Sequence, residues 1–212
     1  MNAPALNTPD ERPAAGSYPA HLAATSRLVD GTEFIIRPIH PDDEALERAF
    51  VCGLSRDSAY NRLLSCRKLS AQEIRQLTHI DYEREMAFVA VRGAGVQADL
   101  LGVARYVKNA DGAEFALVVA DAWQHRGLGT QLLGALLRYA RSAGIARLYG
   151  VTLASNQAML GLARKLGLRL QADAHDATLR WAAKDLAAMP QPLHPVAGHL
   201  GAAANDASLR SG

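Results

Sequence analysis

Apolar residues in this chain recur with two periods, and the places where one period gives way to the other mark out its elements. Phe34-Ile35-Ile36 ahead of Arg37 reads as an opening strand, and Pro38 and Pro41 punctuate the passage into a helix over about Asp42 to Val51. Ser70 to Leu77 reads as a second helix, with Ser70 as its cap and Glu73 at capping-box spacing. Met86 to Val91 and Leu100 to Val107 read as strands joined by a Gly-containing turn, and Asp111-Gly112 marks a hairpin into Glu114 to Ala120. Leu128, Leu132, Leu133, Leu136, Leu137 and Ala140 then keep helical period until Gly144. Ala146 to Leu153 is a further strand and Gln157 to Leu166 a further helix stopped by Gly167, while Leu168 to Leu170 and Thr178 to Trp181 close the sheet. Three consecutive antiparallel strands followed by a helical crossover predict an α/β class with a mixed, mostly antiparallel sheet flanked by helices.

Composition sets the limits of this unit. Seven of the nine prolines lie outside it, in segments also rich in Ala, Gly, Ser and Asn. Residues 1–24 and 187–212 are therefore expected to be disordered tails around a single domain at 25–186. Cys52 and Cys66 are too few and too far apart for a disulfide framework or a CxxC metal site, and they are expected to be small buried hydrophobes. The amino terminus lacks the basic start and apolar run of a signal peptide, and no apolar stretch approaches membrane-spanning length. A cytoplasmic protein with no membrane partner is the expectation.

Charge placement sharpens the picture. The formal net charge is +2, yet residues 122–172 hold no Asp or Glu while carrying seven Arg and Lys, so the remainder of the chain is at −5. That asymmetry implies a polyanionic ligand. Nucleic acid is disfavoured, because the basic residues are not interleaved with stacking aromatics. The chemistry concentrates in Val118-Val119-Ala120-Asp121-Ala122-Trp123-Gln124-His125-Arg126-Gly127-Leu128-Gly129-Thr130, where a strand passes through a short loop into a helix. The first-turn N–H groups of a helix lack internal partners and stand at the positive end of its dipole, so they can hold a pyrophosphate. Gly127 and Gly129 would let it approach the backbone. The spacing after Gly129 gives neither G-x-G-x-x-G nor a Walker G-K-[ST], and no acid follows about twenty residues on, which disfavours a dinucleotide fold.

On these residues the chain resembles the GNAT superfamily of N-acetyltransferases, whose signature is Q/R-x-x-G-x-G/A at such a junction. Arg37-Pro38-Ile39, Asn156, Met159, Leu162 and Lys165-Leu166-Gly167-Leu168 extend the likeness over most of the domain. Within the superfamily the chain is similar to bacterial protein lysine acetyltransferases of the Pat type, through Asp81-Tyr82-Glu83-Arg84-Glu85-Met86-Ala87, Glu114-Phe115-Ala116, Trp123-Gln124 and Met159-Leu160. The resemblance implies acetyl-CoA as cosubstrate, a protein with an exposed lysine as partner, no metal, and a cleft between splayed strands. It implies further that Leu117, Val118 and Val119 pair with the pantetheine arm. Gln124, His125, Arg126, Gly127, Leu128, Gly129 and Thr130 are then expected around the pyrophosphate, and Asn156 on the CoA arm. A helix cap is the alternative role for Asn156, and the two are compatible.

Lysine is almost wholly charged at neutral pH, so transfer to it needs a base. The resemblance places a catalytic glutamate at Glu114, whose bland alternative is a solvated residue after the turn; Glu83 and Glu85 are weaker candidates. The tyrosine that many relatives carry seven residues after the asparagine is Ala163 here, which leaves Tyr106, Tyr149 or water to protonate the leaving thiolate. Two rival readings stay open on sequence alone: acetylation of a small amine such as a polyamine, amino sugar or antibiotic, and a non-catalytic acyl-CoA-binding regulator. The acceptor side is expected between Arg56 and Leu77, where Arg56, Arg62, Arg67 and Lys68 would repel a polycation.

Overall fold

The structure is a computed structural model that describes residues 17–58 and 69–187. Eight strands form one sheet in the order β1-β2-β3-β4-β5-β6-β8-β7. They are β1 Ala24–Arg27, β2 Glu33–Pro38, β3 Glu85–Arg92, β4 Asp99–Asn109, β5 Gly112–Val119, β6 Arg147–Leu153, β7 Arg169–Ala172 and β8 Leu179–Asp185. Among the described residues four complete α-helices accompany them: α1 Glu44–Gly53, α2 Ala71–Thr78, α3 Leu128–Ser142 and α4 Gln157–Lys165. Every strand pair is antiparallel except β5 with β6, which α3 joins by a crossover. The expected mixed α/β architecture is thus present.

Both faces of the central strands are covered, and β4 accordingly reads as an almost unbroken apolar run, with Leu100 to Ala104 and Tyr106 buried. Tyr106 and Phe88 pack on Tyr139 of α3, while the adjacent Arg105 donates through Nη2 to the Leu77 carbonyl of α2 at 2.5 Å. Neighbouring strand residues point to opposite faces, so α3 and α2 lie on opposite sides of the sheet. Leu128, Leu132, Leu133 and Leu136 of α3 are fully buried, as their spacing requires. Both capping-box bonds at Ser70 and Glu73 are made.

The passage from β2 into α1 is fixed by a charge pair. Arg37 meets Asp43 bidentately, Nη1 to Oδ2 and Nη2 to Oδ1 each at 2.7 Å, and the His40 N–H donates to Asp43 Oδ2 at 2.7 Å. Tyr18 and Tyr82 donate their hydroxyls to the carbonyls of Pro38 and Ile39.

Two expectations need correction. The domain begins before residue 25: Tyr18 packs edge-on against His40 and Tyr82, a short 3₁₀ turn spans Ala20–Leu22, and β1 starts at Ala24. Polar β1 carries no apolar alternation to announce it. Cys52 is exposed, because it stands on the solvent side of α1, opposite buried Glu47 and Phe50. The rest of the expected tails, Cys66, Arg62, Arg67 and Lys68 lie outside the described residues.

Candidate active site

The cleft arises where the sheet divides. β5 and β6 pair only at Ala113↔Leu148 and Glu114↔Tyr149, although β5 continues to Val119 and β6 to Leu153. At the fork Gly150 lets the strands close up, for a Cβ there would stand 2.7 Å from the Phe115 carbonyl oxygen. Beyond it opens a cleft of about 560 Å³, walled by β5, β6, the start of α3 and one side of α4. Past the fork the β6-facing edge of β5 has no strand to pair with, so it offers unpaired N–H and C=O groups to an extended ligand.

At the far end, Gly127 is left-handed at φ 87° and begins α3 without a side-chain cap, so the N–H groups of the first turn meet no acceptor among the described residues. His125 is also left-handed, at φ 59°, which turns the loop sharply under the helix start. A Cβ on Gly129 would bridge Leu117 and Leu162, each at 3.5 Å, and so would occupy the cleft floor between β5 and α4. This cradle fits a pyrophosphate followed by a slender arm along β5. Lys165 adds a cation to the wall.

Most of the residues expected from the sequence come together here. Glu114, Leu117, Val118, Val119, Gln124, His125, Gly127, Gly129, Thr130 and Asn156 all line the cleft. Asn156 also caps α4, its Oδ1 accepting the Met159 N–H at 3.0 Å. Two residues depart from expectation. Arg126 turns outward to Asp30 at 3.3 Å and stacks on Trp123, whose ring Arg92 covers as well. The Leu128 side chain is fully buried in the core, leaving only its backbone for a ligand. Gln124 lines the cleft, with its Nε2 donating to the Val119 carbonyl at 3.1 Å and to Ser58 Oγ at 2.9 Å.

Neither candidate tyrosine lines the cleft. Tyr106 is buried against Tyr139 and burial pushes its phenol far above the usual range. Tyr149 stands beside Glu114 in register, but Asn109 donates to its hydroxyl and its ring leans on Trp181. Sequence reasoning missed Ser58, Gly150 and Thr152 as lining residues. The glycine before the fork was the readable signal; Ser58 carried none.

This geometry coincides with what comparison with known proteins finds. The family model described as Acetyltransferase (GNAT) family matches residues 56–168. The chain belongs to the GNAT family. It is 34% identical over 154 residues to Acetyltransferase PA5475 of Pseudomonas aeruginosa, an alignment covering 71% of this chain and 83% of that one. It is 32% identical over 140 residues to Acetyltransferase Pat of Mycolicibacterium smegmatis, covering 65% of this chain but spanning only 41% of that protein. The crystal structure of the GNAT domain of S. lividans PAT superposes with a TM-score of 0.71 at 28% identity, covering 80% of this chain and 99% of that one. As a GNAT acetyltransferase the chain uses acetyl-CoA as cosubstrate, and the fork, the β5 edge and the uncapped helix start are the parts that suit it. Among the described residues no helix is long and apolar enough to cross a membrane, and no group of three His, Cys, Asp or Glu could hold a metal ion.

Gly129 gives a clean test of the cradle. A single Gly129→Val change is expected to leave the ligand-free melting temperature nearly unaltered, because its Cβ meets neighbours at ordinary contact distances. The branched side chain would nonetheless fill the cleft floor. Acetyl-CoA at a hundred times its Kd stabilises a one-site protein by about 2.7 kcal/mol, and thermal melts of the variant should show that shift lost.

Proposed function

We propose that this acetyltransferase acts on the side-chain amine of a protein lysine, with Glu114 as the base that makes the amine nucleophilic. The observation that carries the reading is the setting of Glu114. It is exposed at the fork and lines the cleft, and its carboxylate has no hydrogen bond or ion pair among the described residues, so it is available to an incoming cation. Beside it on the same sheet face lies Val107, 47% exposed, with Glu85 beyond it in register, so among the described residues the acceptor end is an open surface with two spaced carboxylates rather than an enclosed pocket. A free polyamine needs enclosed carboxylates for its other charges, whereas a lysine on a folded protein needs only a shallow groove. The similarity to Pat-type proteins supports the same choice.

Acetyl-CoA supplies the acetyl group already activated as a thioester. The chain supplies position and proton management. The unpaired edge of β5 would orient the arm with its thioester towards the fork and Glu114, and the first turn of α3 would hold the pyrophosphate with Gly127, Gly129 and Thr130 around it and Asn156 on the arm. Glu114 accepts the proton of the lysine ammonium as the nitrogen turns nucleophilic. With Ala163 buried in α4 and no tyrosine on the cleft among the described residues, water at its mouth would return a proton to the thiolate. The exposed thiol of Cys52 is in keeping with a reducing compartment, and a cytoplasmic site of action belongs to the same proposal.

The experiment compares catalytic efficiency on lysine-bearing proteins, acyl-CoA synthetases among them, with that on spermidine and amino sugars. Protein substrates are expected to win, with efficiency falling as salt rises, because exposed Arg56 would meet acidic residues beside the target lysine through screenable contacts. Efficient turnover of a free small amine, with no labelling of any protein in a cell lysate, would overturn the choice of acceptor.

A further inference from the structure

The segment after α1 and the loop after β5 are more than sixty residues apart in sequence, yet one unbroken chain of hydrogen bonds links them. Asp121, at the head of the loop, accepts the Ser55 N–H on Oδ2 at 2.9 Å. Its Oδ1 accepts the hydroxyls of Ser55 and Ser58, each at 2.7 Å. Ser58 Oγ in turn accepts from Gln124 Nε2 at 2.9 Å, and the same nitrogen donates to the Val119 carbonyl at 3.1 Å. Both amide hydrogens of Gln124 are therefore spent inside the protein. Ser58 is buried at 7% exposure and still lines the cleft, so this network forms part of the wall of the site. Burial works against ionisation of Asp121, but the bonds from Ser55 and Ser58 outweigh it and hold the carboxyl below its usual range.

We propose that Ser58 is a positioning residue for acetyl-CoA: anchored by Asp121, its hydroxyl holds the Gln124 amide against the Val119 carbonyl and so fixes the end of β5 on which the cosubstrate arm lies. Val119 is the last residue of β5, and beyond it the chain must leave the sheet at once to reach the uncapped start of α3. The β4-facing side of Val119 is held by the Gly102 pairing and by the Ala120 N–H to the Leu101 carbonyl, but its β6-facing side has no strand partner, and a shift of about 1 Å there misaligns every contact downstream. Gln124 then serves the phosphate loop through its backbone and braces the strand with its side chain. The network also ties the loop to residues 55–58, which lead into the side of the domain expected to meet the acceptor. The proposal rests on β5 as the seat of the cosubstrate arm and is independent of which amine is acetylated.

Calorimetric titration of acetyl-CoA into the parent and into Ser58→Ala, Gln124→Ala, the double variant and Ser58→Thr tests it without needing an acceptor. Each alanine change is expected to weaken Kd by about tenfold, the price of one or two hydrogen bonds in a preorganised site. The double variant should be no weaker than the worse single one, since both break the same brace, and Ser58→Thr should stay within threefold of the parent. Melting temperatures recorded alongside separate this from a structural role, which would lower stability while leaving Kd in place. Should Ser58→Ala fail to fold, Gln124→Ala and Asp121→Asn carry the same comparison. A Kd within twofold of the parent for the single variants, or fully additive losses in the double, overturns the proposal. A parent that binds acetyl-CoA yet acetylates no protein would instead sink only the choice of acceptor.

Discussion

Glu114→Gln is expected to lower the turnover number by about 10²- to 10⁴-fold while leaving the acetyl-CoA affinity within a factor of two or three. The split follows from position. Glu114 stands at the fork, past the phosphate cradle and beyond the stretch of β5 that seats the arm, so the amide substitution disturbs none of the contacts that hold the cosubstrate. What it removes is the carboxylate that takes the proton. With a side-chain pKa of about 10.4, only on the order of one lysine in a thousand is neutral near pH 7.4, and each unit of pH raises that fraction about tenfold. The variant should therefore recover activity as pH rises towards 9, whereas the parent should gain much less. Steady-state rates against pH decide the matter, and a neutral-pH turnover within twofold of the parent would make Glu114 a solvated strand residue only.

The second large effect concerns the fold. Asp43→Ala is expected to destabilise the protein by about 3 to 5 kcal/mol, because it strands the Arg37 guanidinium, whose side chain is 21% exposed, without its partner. For a domain of this size that corresponds to a fall in melting temperature of about 6 to 20 °C. The loss exceeds that of a surface pair because Asp43 also accepts the His40 N–H that starts the turn into α1. Arg37→Ala should act in the same direction, and the double variant should cost less than the two singles summed, since neither charge is then left alone. Differential scanning calorimetry of the three variants measures this. A shift below 2 °C for Asp43→Ala would show the pair to be ornamental.

Much of this architecture could be read from short-range pattern. The 3.6-residue rhythm of Leu128 to Ala140, the Ser70 and Glu73 spacing and the stop glycines at Gly144 and Gly167, both at φ 72°, are local instructions, and each is obeyed. The glycine-bearing entry into the uncapped start of α3 is local too, which is why that helix start could be read from the sequence. What escaped was long-range. Arg126 is drawn outward by Asp30, 96 residues earlier, and no rule of spacing anticipates that partner. Gln124 lies in the motif, but Ser58, 66 residues before it, decides what its side chain does. Three of the four residues of β1 are polar and the strand is mostly exposed, so it leaves no apolar rhythm. Tyr106 looks like a candidate acid in the sequence and becomes a core residue only when α3 folds over it.

The fork in the sheet has a consequence outside catalysis. Strands β1 to β5 on one side and β6, β8 and β7 on the other are joined through only two residue pairs, with the α3 crossover carrying the chain between them. Two half-sheets hinged at one point leave backbone edges facing each other across a gap that protein does not fill. An arm bound along that edge, as proposed, would stand where a ninth strand would and complete the tertiary structure as well as the reaction. Ligand that binds the native state alone shifts the folding equilibrium by mass action. Acetyl-CoA is therefore expected to protect the folded chain against protease in proportion to its rise in melting temperature, which limited proteolysis with and without the cosubstrate measures.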